Sequence, residues 1–498
     1  MLKVSLYFLG IALLCLGVAD IEVATLDPWQ ELGRMAAGAV APDFSVLYSY
    51  KDALLNTLTF AFCGLALGVG LGSVLAFFFH LAPIRLWCAF VRSIHEIFWA
   101  FLFLPIVGLN PICGVLAIAI PYAGVFAKVY AEILQEADQG PQRGLPPQTH
   151  ALVRFCYGVL PVVYAAVKNY TSYRFECALR SSAVLGFIGL PTLGFHLETA
   201  FREGLYAEVA VLLYVFYLLI ASLRYWLKAK LIWLYVGISL VLISKEISLS
   251  WANITRFLTY EILPWPMRRE GFLNGTYEIA FPVDKVWAWV VEIGSSEALP
   301  GVWNTVILTQ IVLAGTGLFT VVGFAVVCRH FVSPFSARLS HYVLIVLRTT
   351  PEYILAYVFV QLWGPSMLPA ICAILLHNGA ILSYLSGQNA DLVKLLPDAP
   401  KKRGDRYFYE ILPRIYGQFL AFLFYRWEVM MRESAILGLL GIYTLGFFID
   451  SAISDDRLDK AIFLILVTAV LNMGIDTISQ RVRQRLRVSS GKVLIVQE

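Results

Sequence analysis

The sequence predicts an all-α polytopic membrane protein, with about twelve transmembrane helices in two tandem homologous six-helix halves. Three observations carry this. Of 498 residues 59% are hydrophobic and only 14% charged, with a mean hydropathy of +0.73, too apolar for a water-soluble globule. Apolar runs of the roughly 20 residues needed to cross a hydrocarbon core of about 30 Å recur along the whole chain. Finally, residues 160–195 and 412–447 align without a gap and share 16 of 36 positions, where unrelated segments share about two.

In the first half, 1–228, spans are expected near 4–20, 53–79, 86–108, 111–131, 160–180 and 206–223. The second half, 229–498, repeats the order near 231–248, 304–328, 340–363, 367–386, 412–432 and 460–478. The opening run Val4 to Val18 follows a single lysine and lacks a small-x-small cleavage site before Asp20. It reads as a retained first helix. Small-residue runs, Gly64, Gly68, Gly70 and Gly72 and then Gly315 and Gly317, point to close helix contacts.

Lysine and arginine favour the cytoplasmic side of short loops. The cluster Lys401, Lys402, Arg403 and Arg406 and the tail Arg481, Arg483, Arg485 and Arg487 therefore place both termini in the cytoplasm. Each half then has one long polar inner loop, 132–159 and 387–411. Both loops end in Leu-Pro, Leu160-Pro161 and Leu412-Pro413, where a missing proline N–H suits the first turn of the next span. The far end of each repeat is rich in glycine (Gly186, Gly189, Gly194), which would break the helix into a short outer piece.

A net charge of +4 is too small and scattered to suggest nucleic acid. Eight cysteines stand without paired spacing, which points to free thiols and to neither zinc nor a disulfide framework. The histidines His95, His196 and His377 read as packing or interfacial residues, and no metal is expected.

Charges inside spans are costly, so they usually pair or face water. Glu176 and Arg180, like Glu428 and Arg432, are four apart, so each pair shares one helix face with Tyr173 or Tyr425 beside it. Arg92 with Glu96 and Arg348 with Glu352 repeat the spacing on an earlier span. One reading is simple intrahelical salt bridges. The other is that the two pseudo-symmetric arginines, Arg180 and Arg432, face each other and attract an oxyanion, since guanidinium matches such oxygens with paired hydrogen bonds.

The string Y-R-[FW]-E-x3-R-x-S-x2-L-G-x2-G-x3-L-G-F occurs in both halves after an inner loop closing in Leu-Pro. With Pro28 to Met35, Pro42-Asp43-Phe44, Asn56-Thr57, Asn304-Thr305 and Arg348 to Glu352, it resembles the permease subunits of ATP-binding-cassette importers, in the phosphonate and phosphite branch. The resemblance implies a type I importer permease fold in a bacterial inner membrane, here with two permease copies fused. It also implies two cytoplasmic ATP-binding-cassette ATPase subunits and an external substrate-binding protein as partners, with membrane lipid around the spans. No cofactor is expected in this chain, because it lacks a G-x4-G-K-[ST] loop, so ATP and Mg would be bound by the partner ATPase. The chain is thus expected to be a transporter subunit and not an enzyme.

In the family the inner loop carries E-A-A-x3-G, which docks on the ATPase. Here Gln142 and Gln148 stand at its glutamate and glycine positions, and Lys394 and Pro400 in the second half. Loop length is kept while the consensus is lost. The competing function is an ion-coupled secondary transporter or a channel for a small anion, which would need a self-sufficient coupling residue in mid-membrane. An integral membrane enzyme would need a His/Asp/Ser constellation at the membrane surface, and the sequence offers none.

Overall fold

A computed structural model describes residues 1–24, 27–138, 140–146, 148–243, 250–272 and 281–486. Arg487 of the basic tail lies outside them. Among the described residues the chain is helical without strands. Seven helices are long and apolar enough to cross a membrane, or ten if each of three bent pairs is one span. Leu2–Leu16 and Ala229–Ile243, at the expected first and seventh spans, are shorter apolar helices.

The chain forms two compact units, Met1–Ala41 with Leu258–Val493, and Pro42–Phe257. Their boundaries depart from the expected division at 228/229, because each half's first helix packs away from its own half. Leu2–Leu16 packs in the unit of the second half, where Phe8 meets Phe424 at 5.1 Å and Trp427 at 5.4 Å. Tyr416 Oη donates to Ser5 Oγ at 2.6 Å, and Asp20 and Ala24 form backbone hydrogen bonds with Met367 and Trp363. Ile232–Ile243 packs in the other unit, with Tyr235 5.3 Å from Phe62 and its hydroxyl donating to Trp226 O at 2.7 Å.

In the Pro42–Phe257 unit, Lys51–Phe77 lies along Pro111–Glu136 through glycines one turn apart. A Cβ at Gly64 would meet Ile118, at Gly68 Tyr122 and at Gly72 Phe126. This is the close approach that small residues permit in lipid, where dispersion drives helix association. Gly70 has open space beside it and plays no part in the contact. Gly315 and Gly317 meet Leu375 and Leu423 in the other unit.

Two expected spans are not straight. Residues 86–108 fall on Ala82–Ser93 and Glu96–Val107, bent by 92°, and 340–363 on Pro334–Thr349 and Glu352–Trp363, bent by 91°. Thr350 precedes Pro351, whose ring excludes the α conformation from it. In the first half Ile94 is extended and His95 caps the second arm by accepting the N–H of Ile97. A 12-residue arm is only about 18 Å long, too short to cross alone.

The Leu-Pro pairs also behave differently from a plain helix start. A wide i→i+5 turn, Phe155–Val159 or Arg406–Ile411, runs straight into Leu160-Pro161 or Leu412-Pro413. Proline removes the N–H that would close an ordinary turn, and the ladder widens there. Gly294–Ala298 before Leu299-Pro300 repeats the device.

In the unit that contains the second half, Trp265–Phe272 is clamped to the start of Leu458–Arg485. The fully buried Asp459 carboxylate accepts the Trp265 N–H at 3.0 Å and pairs with Arg268 at 2.9 Å and Arg457 at 3.2 Å. Lys460 pairs with Glu297 beside it.

Candidate functional site

The repeated segment is one helix and an elbow. In the first half Leu160–Val184 runs through a tight turn at Leu185–Ile188, Gly189 at φ +90°, and then Leu193–Arg202. The second half repeats this with Leu412–Ile436, Leu437–Leu440, Gly441 at φ +82° and Leu445–Ser454. The elbow closes backbone on backbone: a Cβ on Gly194 would strike the carbonyl of Ala183, and one on Gly446 that of Ala435. Asn56 and Thr57 hold it from the side, through the carbonyl of Pro191 at 3.0 Å and the N–H of Leu193 at 2.9 Å. Asn304 and Thr305 do the same to Tyr443 at 2.9 Å and Leu445 at 3.1 Å.

Along the helix below the elbow lie the charged residues. Arg180 pairs with Glu176 at 3.8 Å, as the spacing predicts. The second copy differs: Arg432 makes no ion pair among the described residues, and its buried Nε has no hydrogen-bond partner, while Glu428 is buried. Tyr173 lies 6.4 Å from Tyr170, and half-exposed Tyr425 lies under Arg483. Arg348 sits over the Tyr384 ring at 4.5 Å. Because the helix breaks between them, Arg348 and Glu352, like Arg92 and Glu96, belong to different arms and share no helix face.

Sequence reasoning missed the positions around which the polar groups gather. Arg426 donates to Asn378 Oδ1 at 2.7 Å and to Glu433 at 3.3 Å, and Asn378 donates to the other Glu433 oxygen at 2.7 Å. His377 joins them: its Nδ1 donates to the Thr350 carbonyl at 2.9 Å, and its Nε2 is 3.9 Å from Glu352. It is part of a buried polar network and not an isolated packing residue. Glu352, His377 and Glu433 bring ligand atoms within 4.8 Å of one another, a spacing that could hold a metal ion. Both Glu433 oxygens are already engaged by Arg426 and Asn378, so the arrangement is satisfied as an ion-pair network.

The same positions in the first half carry other residues. Arg174 stands for Arg426, Ser181 for Glu433 and Tyr122 for Asn378. Ser181 donates to Glu96 at 3.1 Å and lies 3.2 Å from Tyr122 Oη, and the Arg174 guanidinium sits 4.3 Å above the Tyr122 ring. The signal in the sequence was the arginine of Tyr-Arg-aromatic-Glu, repeated in both copies. Its partners were hidden on another helix or two turns away.

The loop before Leu412-Pro413 closes on the same helix. In the second half Arg406 donates to the carbonyls of Pro400 at 3.1 Å and His330 at 3.3 Å. Arg414 donates to Lys394 O at 2.9 Å and pairs with Glu410 at 2.8 Å. In the first half Gln142 lies in the short turn Gly140–Arg143, and Gln148 is exposed just before Ala151–Arg154.

Residues 320–488 match the family model of the binding-protein-dependent transport system inner membrane component. The phosphate-import permease protein PhnE of Mycolicibacterium smegmatis is 26% identical over 428 residues, 80% of this chain and 76% of that protein. The phosphite transport system permease protein PtxC of Stutzerimonas stutzeri is 29% identical over 228 residues, 43% of this chain and 82% of its own. The putative cryptic phosphonate transport system permease protein PhnE2 of Escherichia coli is 32% identical over 99 residues, 20% of this chain and 81% of its own. No solved structure matches the chain.

Proposed function

We infer from one premise, that this chain belongs to the phosphonate and phosphite permease family of binding-protein-dependent importers, how its helices are used. It is the membrane-spanning permease subunit of an ATP-driven importer, and its cargo is phosphonate, phosphite or a related phosphorus oxyanion. The observation that carries the cargo is the repeated helix, which brings arginine into the apolar interior of each half: Arg180 beside Glu176, and Arg432 with a buried, unsatisfied Nε. Such charges cost about 2.5 to 3.5 kcal/mol each on insertion scales, and guanidinium is the group best matched to phosphoryl oxygens. Tyr173, Tyr425, Glu428, Arg348 and Glu352 complete the path, the carboxylates keeping the anion from binding too tightly to leave.

Two fused permease halves work with two cytoplasmic ATPases, which hold ATP and Mg, and with an external binding protein that delivers the anion. Both termini are cytoplasmic. The inner loops through Gln142, Gln148, Leu160 and Pro161, and through Lys394, Pro400, Leu412 and Pro413, transmit ATPase closure to the repeated helices. The test is uptake of radiolabelled methylphosphonate, phosphite and phosphate by proteoliposomes carrying the chain, its ATPase and its binding protein. ATP-dependent uptake of at least one is expected. Uptake without the ATPase would instead assign the chain to ion-coupled carriers.

A further inference from the structure

The two copies of the inner arginine do not have the same surroundings. Arg426 is neutralised, with Nε on Asn378 and the guanidinium on Glu433. Arg174 has no carboxylate partner among the described residues. The position of Glu433 is Ser181 in its half, its buried Nε has no hydrogen-bond partner, and its neighbours are Tyr122, Tyr170, Tyr173 and Cys177. A guanidinium inside a membrane domain needs a counter-charge. Around Arg174 the protein supplies aromatic faces and phenol hydroxyls, and the Glu96 carboxylate of this cluster is engaged by Ser181 and not by Arg174.

We propose that Arg174, lined by Tyr122, Tyr170 and Tyr173, is an anion-binding subsite of the first half that takes a tetrahedral phosphorus oxyanion as its transient counter-ion. The equivalent Arg426 is a structural residue held by Glu433. The two halves therefore contribute unequally to the path. A guanidinium fork can donate to two phosphoryl oxygens while the Tyr122 ring supports its rear face. In the second half Glu433 occupies the place such an anion would need. This rests on the reading that the repeated helix lines the path of a phosphorus oxyanion.

The test is saturation-transfer NMR of methylphosphonate, with sulfate as competitor, on the full chain in lipid nanodiscs. Wild type is expected to show saturation transfer that R174Q lowers by ~10-fold or more, the size of a lost charge-assisted pair. R174K should retain part of it. R426Q/E433S, which gives the second half the first half's serine and leaves no buried carboxylate unpaired, should retain the wild-type signal. A silent wild type, an R174Q that binds normally, or an R426Q/E433S that loses binding as R174Q does would each overturn the subsite. Arginine-dependent binding, combined with failure of reconstituted proteoliposomes to import any phosphorus oxyanion, would leave the subsite standing and remove the assigned cargo.

Discussion

The Thr305 hydroxyl accepts the backbone N–H of Leu445 at 3.1 Å while donating to the carbonyl of Gly301 at 2.7 Å, and so fixes the elbow of the second repeat to the neighbouring span. The group is buried, and Thr57 repeats the contact on Leu193. Thr305→Val keeps the shape and orphans a buried N–H, which costs about 1–3 kcal/mol. Thermal unfolding in detergent should show that loss for Thr305→Val and most of it recovered in Thr305→Ser. Equal loss in both would mean that the methyl packing, and not the hydroxyl, holds the elbow.

Gly446 lies where its missing Cβ lets one helix backbone touch the next. Unlike Gly441, its φ is not positive, so the requirement is space and not backbone conformation. Gly446→Ala forces backbone against backbone with no flexible side chain to give way, and a cost of about 3 kcal/mol or more is expected. Gly474, with open space around it, is the control: Gly474→Ala should leave stability unchanged or raise it slightly. Yield of monodisperse protein in size-exclusion chromatography separates the two outcomes.

Asp459 is the common acceptor of Arg268, Arg457 and the Trp265 N–H. Asp459→Asn keeps the volume and leaves Arg268, itself mostly buried, without its counter-charge. Removing one partner of a buried pair costs about 3–5 kcal/mol. Hydrogen exchange at Trp265–Phe272 should accelerate markedly in the variant and stay at wild-type level in Asp398→Asn, a change at an exposed site in the loop 387–411. Unchanged protection would show that the outer helix is held by its apolar contacts alone.

The parts of the fold legible in the sequence were those written in backbone chemistry. Gly186, Gly189 and Gly194 announced an elbow because only glycine permits such contact or a positive φ. Leu160-Pro161 reads in the sequence as the start of a span, whereas the helix runs through it from Ala151 with only a wide turn before the proline. The right-angle break at Thr350-Pro351 was legible in principle from its proline. Its twin at Ile94-His95 has none, and the polar Arg92, Ser93, His95 and Glu96 around it carry no backbone restriction that would mark a bend. The displacement of Leu2–Leu16 was invisible, since a uniformly apolar helix does not record which neighbour it packs on. Four-residue spacing found Glu176 with Arg180 and overread Glu428 with Arg432. In the second copy the ion pair that forms is a different one, Arg426 with Glu433 seven residues beyond it on the same face.

Tyr50, just before Lys51–Phe77, donates to Glu208 at 2.6 Å. Burial, then the Glu208 carboxylate, push its phenol up to about 12, against an ordinary value of about 10. Because the folded value lies above the unfolded one, this contact stabilises fully below about pH 10 and is lost as pH rises through about 12. The tyrosinate absorbance of wild type minus Tyr50→Phe should therefore have its midpoint near 12. A midpoint near 10 would mean that the hydrogen bond is not maintained in the membrane.

Arg406 ties the loop before Leu412-Pro413 to its own helix through the carbonyls of Pro400 and Lys401, and to the neighbouring connection through that of His330. Two of these bonds hold the Pro400-Lys401 stretch to Arg406, while Arg414 and Glu410 hold Lys394 and Leu396 earlier in the same loop. Arg406→Ala should therefore release the Pro400-Lys401 stretch. Trypsin added to inside-out vesicles should cut the variant in this loop at least ~10-fold faster than wild type, the effect of weakening local protection by about 1.4 kcal/mol. ATP-driven uptake should fall with it, because a loosened loop moves without carrying the helix. Faster cleavage with unchanged uptake would separate loop order from coupling, and cleavage only in right-side-out vesicles would reverse the assigned topology.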